Sequence, residues 1–442
     1  MDIFTSYGIA IKNKEFRNVF AATTELYRKA VDFFINVRLL ENEDFQKIKS
    51  SLYQLHFMEQ LTHKTKGRSV VKYDFDKSFY KFPSYYRRAA INEALGKADS
   101  YLSNLSRWEK IKVGKKPSYP TAGYAFPALY RNDSYIRTDT YTADIKVFIR
   151  NTWDWISIDL NKGDTDYILH HCKDRKECVP VLSKRYKKWY LQFSFEETVC
   201  LNKTPIEKAN VLAVDLGINN ACTYAVMRSD GAVIGREFLS LPVEQDSLEH
   251  ITNRIKQAQQ KGINKPIALW NAANGVNDRI AVLTAQHIID VAKQYQVSTI
   301  VFEHLETVGK KKGSKKQKLA LWKKRYVQSM VTNKAHRLGI RISHVNAANT
   351  SRLAFDGSGK VKRGKEINQN TSYSICRFAT GKVYNCDLNA AYNIGARYFV
   401  RELLKSCSET KRLGIEAKVP QCAKRSTCTL STLISLNAVL AA

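Results

Sequence analysis

The apolar positions of this chain follow two different periods, and the period changes several times along its length. Loose alternation predicts a strand at the N-terminus, and apolar positions three or four residues apart then predict long helices. Short runs that are apolar throughout predict buried strands in the second half. The predicted strands cover 2–12, 144–150, 153–160, 178–184, 188–197, 211–216, 221–227, 233–239, 297–303 and 340–345, and the clearest helices cover 14–40, 84–108, 279–295 and 388–404.

This order of elements predicts an α+β protein of several domains. The strands within 1–13 and 113–205 predict a small β-barrel, which the helices of 14–112 interrupt. Strands and helices alternate over 206–345 and 387–404, which is typical of an α/β domain. A polar, glycine-containing and basic stretch fills 346–386, and the weakly patterned tail at 405–442 is expected to be disordered.

The charge of the chain indicates a polyanionic partner. Lys and Arg number 71 against 41 Asp and Glu, which gives a formal net charge of +30. A surplus of this size repels itself unless a polyanion is near, and nucleic acid is the natural one. No stretch approaches the roughly 18 apolar residues of a spanning helix, so we expect no membrane partner. The nine scattered Cys suit reduced thiols in a cytosol.

Three carboxylates stand at comparable places in the predicted elements. Asp215 ends one apolar strand, Glu303 ends a later one, and Asp387 stands where the last clear helix begins. Each alone has an ordinary explanation, as a turn residue or as a helix N-cap. Together they indicate a site for divalent cations, because convergent carboxylates repel one another. We expect two Mg²⁺ ions, with Mn²⁺ as the alternative, to activate water for phosphodiester hydrolysis.

These motifs resemble the RuvC nuclease domain, which has an RNase H-like fold. The form they resemble is the split one found in transposon-encoded TnpB proteins and miniature type V CRISPR effectors. The resemblance is carried by AVDLGINN with Asp215, IVFEHLE with Glu303 and DLNAAYNIGA with Asp387, and it extends to the triplet at 349–351. The first half matches this family in layout only, as a wedge-like barrel with an inserted helical recognition lobe.

The resemblance implies an RNA-guided DNA endonuclease of the type V effector kind. It would cut DNA by Mg²⁺-dependent hydrolysis in one RuvC site, with Asp215, Glu303 and Asp387 as catalytic residues and metal ligands. Guide RNA and target DNA are the implied partners, in the cytoplasm of a prokaryotic cell. One site must cut two strands in turn, or a homodimer must supply two sites. Three alternatives stay open: a TnpB nuclease guided by a transposon-end RNA, a guided DNA-binding protein that does not cleave, and an unguided RNase H-like resolvase.

One departure from the family concerns zinc. In the family, two CxxC pairs form a four-Cys zinc ribbon between the second and third carboxylates. The four positions fall here on Ala354, Gly357, Cys376 and Ala379. We therefore expect no structural zinc. The stretch 346–386 is expected to be a degenerate ribbon-like insertion that loads nucleic acid, held by packing or by that nucleic acid, or disordered in part.

Clusters of cationic side chains are the candidate nucleic-acid contacts. They lie near the start of the second helix, in an aromatic loop after it, in a basic run that follows Glu303, and beside the triplet at 349–351. The ordinary alternative for each is a solvated charged surface. The candidates are Arg87, Arg88, Lys115, Lys116, Lys310, Lys311, Lys315, Lys316, Lys323, Lys324, Arg325 and Arg352.

Overall fold

The computed structural model describes residues 1–112, 114–217, 220–304 and 315–441, with the side chains of 315–322 excepted. The chain forms two compact units, one of residues 2–198 and one of Met1 with 199–442. The protein is thus a multidomain chain of mixed α and β structure. Among the described residues, no helix combines the length and the apolar character needed to cross a membrane.

The N-terminal unit contains seven strands and six helices in its described part. Two long helices, which match the predicted ones, pack against each other and against the strands. The elements are β1 (Asp2–Ala10), α1 (Arg17–Leu40), α2 (Asn42–Lys47), α3 (Ser51–Thr62), α4 (Phe75–Ser78), α5 (Ser84–Ile111), β2 (Tyr135–Arg137), β3 (Thr142–Ile149), β4 (Thr152–Asp159), α6 (Lys162–His171), β5 (Lys176–Glu177), β6 (Val181–Arg185) and β7 (Lys188–Thr198).

The predicted barrel is wrong as a closed structure. Strand pairing in the described part of this unit gives two open sheets: β7 pairs with β1, β5 and β6, and β3 pairs with β2 and β4. Strand β2 pairs only with residues 143–145 of β3, and beyond them this edge of β3 bonds to helices instead of to another strand. Thr23 Oγ1 of α1 accepts from the Phe148 amide at 2.9 Å, and Tyr86 of α5 donates to the Lys146 carbonyl at 2.6 Å. These bonds satisfy backbone groups that a closing strand would otherwise pair.

The C-terminal unit contains the predicted α/β domain. Its elements are β8 (Val211–Asp215), β9 (Cys222–Met227), β10 (Val233–Leu239), α7 (Pro242–Gln260), α8 (Ile267–Gln294), β11 (Thr299–Glu303), α9 (Lys315–Arg337), β12 (Arg341–Val345), β13 (Lys362–Arg363), β14 (Ile375–Arg377), β15 (Val383–Asn385), α10 (Cys386–Lys405), α11 (Glu409–Lys418) and α12 (Leu430–Ala441).

The main sheet of this unit has the strand order β10-β9-β8-β11-β12. Strand β9 is antiparallel to both of its neighbours, β10 and β8, whereas β8, β11 and β12 run parallel to one another. Both faces are covered, which explains the uninterrupted apolar runs. In β8, Val211 and Ala213 join the core on the α10 side, and Leu212 and Val214 join the core that includes α8 and α9.

Helix α10 lies very close to the sheet. A Cβ atom placed on Gly395 would lie 3.2 Å from the Ala213 Cβ of β8 and would collide with Met227 Sδ of β9. A residue with a side chain at this position would therefore push the helix away from both strands. The small residues Ala390 and Ala391, both buried, belong to the same packed helix.

The stretch 346–386 forms a small three-stranded sheet in the order β13-β14-β15. Its core is apolar and consists of Ala354, Val361, Cys376, Phe378 and Cys386. Ala354 and Cys376, two of the positions where the family carries zinc ligands, lie in this core and are almost fully buried. This small sheet therefore has an apolar core of its own. Its predicted role in loading nucleic acid stays a prediction.

The prediction of a disordered tail is wrong. The tail forms α11 and α12, and Leu433 and Leu436 of α12 are fully buried in the core that includes α10. Asn437 donates to the Ser229 carbonyl at 2.7 Å, which ties α12 to the turn between β9 and β10. The short helices of the tail are stabilised by packing against α10, and the sequence of the tail alone carries no long amphipathic pattern that would predict them.

A buried polar row runs along α10, formed by Asn389, Asn393 and Arg397 at four-residue spacing. All three are at most 4% exposed. The amides of Asn389 and Asn393 both donate to the carbonyls of Thr350 and Leu353, at 2.8–3.4 Å. Because these carbonyls lie in a loop without regular structure, the two asparagines satisfy groups that would otherwise be buried unpaired.

Arg397 joins that loop to the tail. Its Nη1 donates to the carbonyls of Asn346 and Ala348 at 2.6 and 2.8 Å. Its Nε and Nη2 donate to the carbonyls of Cys428 and Ser426 at 3.1 and 2.9 Å. One buried guanidinium thus holds four carbonyls from two separate segments, a geometry that only arginine provides.

Replacing Arg397 with Gln should lower the free energy of unfolding of the full chain by about 3 kcal/mol, because several buried carbonyls lose their donors. Denaturant unfolding measures the effect. Arg412→Gln, at an exposed ion pair of α11, is the matched control and should leave that free energy nearly unchanged. Equal effects of the two variants would contradict the role given to Arg397.

Candidate active site

Asp215 and Glu303 end two neighbouring parallel strands. The register pairs Thr299 with Val211 and continues to Phe302 with Val214, so the two carboxylates follow as the next residues of β11 and β8. Residues in register project to the same face of a sheet. The sequence-predicted pair is therefore brought together at one sheet edge, and both side chains are partly buried.

Asp387 is the second residue of α10, and it does not cap the helix. Asn385 is the N-cap: its Oδ1 accepts from the amides of Asp387 and Leu388 at 2.8 and 3.1 Å. The simple capping explanation for Asp387 is therefore wrong. Its carboxylate lies near the positive end of the helix dipole, which favours a negative charge there. The side chain of Asn220, which follows β8, also forms a hydrogen bond with the Asp387 carboxylate.

The three carboxylates interact electrostatically. Burial is the largest cause and the nearby Glu303 carboxylate the second of a rise that brings the pKa of Asp215 to about 8. Lys324 of α9 opposes this shift, the Asp387 carboxylate adds to it, and Arg363 of β13 opposes it. Because charged groups influence a pKa strongly only when they are near, Asp215 lies within range of both other carboxylates.

Glu303 and Asp387 are perturbed in the same direction. Burial raises the pKa of Glu303, and a hydrogen bond from Thr350 holds it lower than burial alone would. Burial likewise raises the pKa of Asp387, and Arg363 and Lys324 oppose that rise. Three partly buried carboxylates with raised pKa values are costly for folding, and such clusters are typical of functional sites.

The donor chemistry of the site suits a hard divalent cation. Three carboxylates offer the oxygen ligands that Mg²⁺ prefers. As the side chains are placed, however, no group of three His, Cys, Asp or Glu residues in the described chain is close enough to hold a metal ion. Asp215, Glu303 and Asp387 thus fit a metal site by type and location and do not form a closed cage.

The predicted nucleic-acid contacts on the N-terminal unit differ in exposure. Arg87 is 6% exposed and Arg88 is half-buried, and both face Glu59, at 3.5 and 3.2 Å. These two arginines are thus engaged inside the unit. Lys115 and Lys116 are exposed, and the Lys116 ammonium lies 6.0 Å from the Trp108 ring centroid.

The predicted nucleic-acid contacts on the C-terminal unit also differ in exposure. Lys323 is 7% exposed, Lys324 and Arg325 are partly buried, and Arg352 is exposed. Of these, Lys324 acts on all three carboxylates. The predictions for Lys310 and Lys311 lie outside the described residues, and α9 includes Lys315 and Lys316 in its part without described side chains.

Several residues beside the carboxylates could not be predicted from the sequence. Arg363, Asn220 and Gln328 carry no local signal of their role, because each meets the site through the tertiary fold. Gln328 donates to the Glu303 carbonyl at 3.1 Å. Thr350 belongs to a triplet that the sequence singles out, yet its contact with Glu303 is visible only in the folded chain.

The chain has a low overall likeness to solved Cas12 structures. A cryo-EM structure of a Cas12f1–sgRNA–target DNA complex aligns with 89% of this chain and 98% of that one, at 15% identity and a TM-score of 0.34. Alicyclobacillus acidoterrestris C2c1 in complex with single-guide RNA aligns with 88% of this chain and 67% of that one, at 11% identity and a TM-score of 0.40. At these TM-scores no detail is transferable.

Sequence relatives are more informative. The model of the Aq_aa04 family matches residues 5–149, and the model of the Cas12f1-like TNB domain matches residues 325–394. The uncharacterized protein aq_aa04 of Aquifex aeolicus (strain VF5) is 30% identical over 132 residues, which are 27% of this chain and 74% of that protein. The TnpB-like protein aq_aa05 of the same organism is 26% identical over 238 residues, 48% of this chain and 74% of that protein. The chain therefore belongs to the Aq_aa04 family, and it is similar to the Cas12f1-like TNB domain in its C-terminal half and to a TnpB-like protein.

Proposed function

We propose that this chain is an RNA-guided DNA endonuclease of the type V kind, which hydrolyses phosphodiester bonds in a single RuvC-like site. One observation carries the proposal: Asp215 and Glu303 end neighbouring parallel strands in register, and Asp387 acts on the same site from the start of α10. The order of the main sheet, with three antiparallel strands followed by two parallel ones, supports an RNase H-like fold for this unit.

Asp215, Glu303 and Asp387 would hold two Mg²⁺ ions, or Mn²⁺ in their place. When bound, such cations supply Lewis-acid activation of water and of phosphate oxygens. Lys324 and Arg363 add fixed positive charge beside the carboxylates. That charge would attract the phosphate backbone and offset part of its repulsion from the acidic cluster. Burial of the carboxylates limits competing water and strengthens each of these interactions.

Guide RNA and target DNA are the partners that the chain chemistry supports. A net charge of +30 provides many phosphate contacts. Sequence choice would come from pairing between guide and target, with the protein reading a short flanking motif. The comparisons give no support to a homodimer, so we propose that one site cuts both strands in turn.

A second candidate has a specific observation in its favour. The TnpB-like protein of Aquifex aeolicus shares 26% identity with this chain, so the guide would then be an RNA from a transposon end. This candidate keeps the fold, the site and the chemistry, and it changes only the origin of the guide. The neighbouring genome separates the two, because a repeat array accompanies a CRISPR effector and transposon ends accompany TnpB.

Sequencing of the RNA that co-purifies with the full chain tests the guided character. We expect a defined RNA with a constant scaffold and a variable end, because pairing of the variable end would specify the target. Random fragments of host RNA would contradict guidance and would leave a basic nuclease.

Cleavage of DNA matched to that RNA tests the chemistry. We expect Mg²⁺-dependent cutting by the unmodified chain, and we expect Asp215→Asn, Glu303→Gln and Asp387→Asn each to reduce it to background while RNA binding persists. Asp290→Asn, at an exposed position of α8, is the matched control and should cut normally. Absence of cutting by the unmodified chain with its own RNA would support a guided binding protein instead.

Raising the pH should weaken the metal-free fold and strengthen Mg²⁺ binding. The folded-state pKa of Asp215, about 8, lies above its ordinary value of 3.8. Between these two pH values the Asp215 carboxyl is therefore protonated in the folded chain and ionised in the unfolded chain. The free energy of unfolding should therefore fall as pH rises through this window, by up to about 1.4 kcal/mol per pH unit. Glu303 and Asp387 shift in the same direction. Because Mg²⁺ must displace the proton, its stabilising effect should grow towards about pH 8.

Denaturant unfolding with and without Mg²⁺ measures both trends. Asp215→Asn should flatten the pH dependence in each series, whereas Asp290→Asn should keep it. Identical pH slopes in the unmodified chain and Asp215→Asn would contradict the burial of a protonated Asp215.

A further inference from the structure

The triplet 349–351 lies beside Glu303, and the proposed cleavage chemistry assigns it no role. Asn349 adopts a left-handed conformation, with φ of 66°, which asparagine tolerates better than most residues. This conformation turns the chain directly before Thr350. The Thr350 side chain is 3% exposed, and its Oγ1 donates to Glu303 Oε1. The turn therefore delivers one hydroxyl to one of the three carboxylates.

The Thr350 hydroxyl has two acceptors and one proton. Besides Glu303 Oε1, the Ala347 carbonyl lies 3.1 Å from Oγ1. Only one acceptor can receive the proton at a time. An ionised carboxylate is the stronger acceptor, so the bond to Glu303 prevails when Glu303 is charged. The bond occupies Oε1 of Glu303, and no hydrogen bond joins Oε2 to a residue in the part of the chain that the structure describes.

The position of Thr350 is itself set by α10. Its carbonyl accepts from Asn393 at 2.9 Å and from Asn389 at 3.4 Å, and both asparagines are fully buried. Because α10 also begins beside Asp387, one helix locates two carboxylates: Asp387 directly, and Glu303 through Thr350. Thr299, in the same strand as Glu303, has a buried hydroxyl that pairs with Tyr398 at 3.2 Å and offers a natural comparison.

We propose that Thr350 is a positioning residue for Glu303, whose hydroxyl holds the carboxylate in the orientation that a divalent cation requires. The inference rests on the proposed metal site. Groups that orient a metal ligand reduce the freedom that the ligand must lose on binding, and their loss typically weakens metal affinity ~10–100-fold. Thr350 touches no cation or DNA in this role, and it acts only through Glu303.

Binding of Mn²⁺ alone to the purified full chain, followed by electron paramagnetic resonance, tests the proposal without reference to cleavage. Thr350→Val removes the hydroxyl at nearly constant volume and should weaken Mn²⁺ binding by about 10-fold, whereas Thr350→Ser should stay within about twofold of the unmodified chain. Thr299→Val removes a buried hydroxyl elsewhere on the same strand and should bind as the unmodified chain does. Thr350→Ala replaces the valine variant if the latter does not fold.

The outcomes separate this proposal from the proposed function. Asp215→Asn defines the Mn²⁺ that binds at the carboxylates. If Asp215→Asn binds Mn²⁺ as tightly as the unmodified chain, the metal site itself is wrong. If Asp215→Asn loses that binding and Thr350→Val or Thr350→Ala keeps it, the metal site stands and the role of Thr350 is overturned. Loss in Thr350→Ser equal to that in Thr350→Val also overturns it, because the hydroxyl would then not be what matters.

Discussion

The C-terminal unit depends on the close approach of α10 to the main sheet. The absence of a side chain at Gly395 lets the helix lie against β8 and β9. From that position α10 does three things. It closes one face of the sheet, it holds the loop after β12 through Asn389, Asn393 and Arg397, and it brings its own N-terminus to the strand ends. A shift of the helix would disturb all three, since interiors are close-packed and transmit displacement.

The three carboxylates destabilise the fold of the unit, unlike buried polar groups that have hydrogen-bond partners. Buried polar groups such as Asn389, Asn393 and Arg397 have hydrogen-bond partners. In contrast, burial raises the pKa values of Asp215, Glu303 and Asp387, and the other two carboxylates raise that of Asp215 further. Such conflicts are concentrated where a protein needs them for function. The surrounding groups offset the conflict in part: Thr350 bonds to Glu303, and Lys324 adds positive charge. A bound cation would offset the remainder.

Much of this site could be predicted from sequence because its main signal is local. A continuous apolar run with an acid at its end predicts a buried strand that delivers a carboxylate, and β8 and β11 confirm that pattern. Asp387 could be predicted only from the joint pattern of the three carboxylates, because its place at a helix start suits a simple N-cap as well. What escaped prediction depends on tertiary contacts. Bonds from Thr23 and Tyr86 to the β3 edge replace the closing strand of a barrel, and the tail is ordered by packing against α10. No pattern within a short window encodes either contact.

The central claim is that Asp215, Glu303 and Asp387 together bind divalent cations. The most direct test is a crystal structure of the full chain soaked in Mn²⁺, with anomalous differences recorded near the manganese edge. We expect anomalous density between the three carboxylates and its loss in Asp215→Asn crystals. Strong manganese density elsewhere on the chain, with none between these carboxylates, would contradict the account.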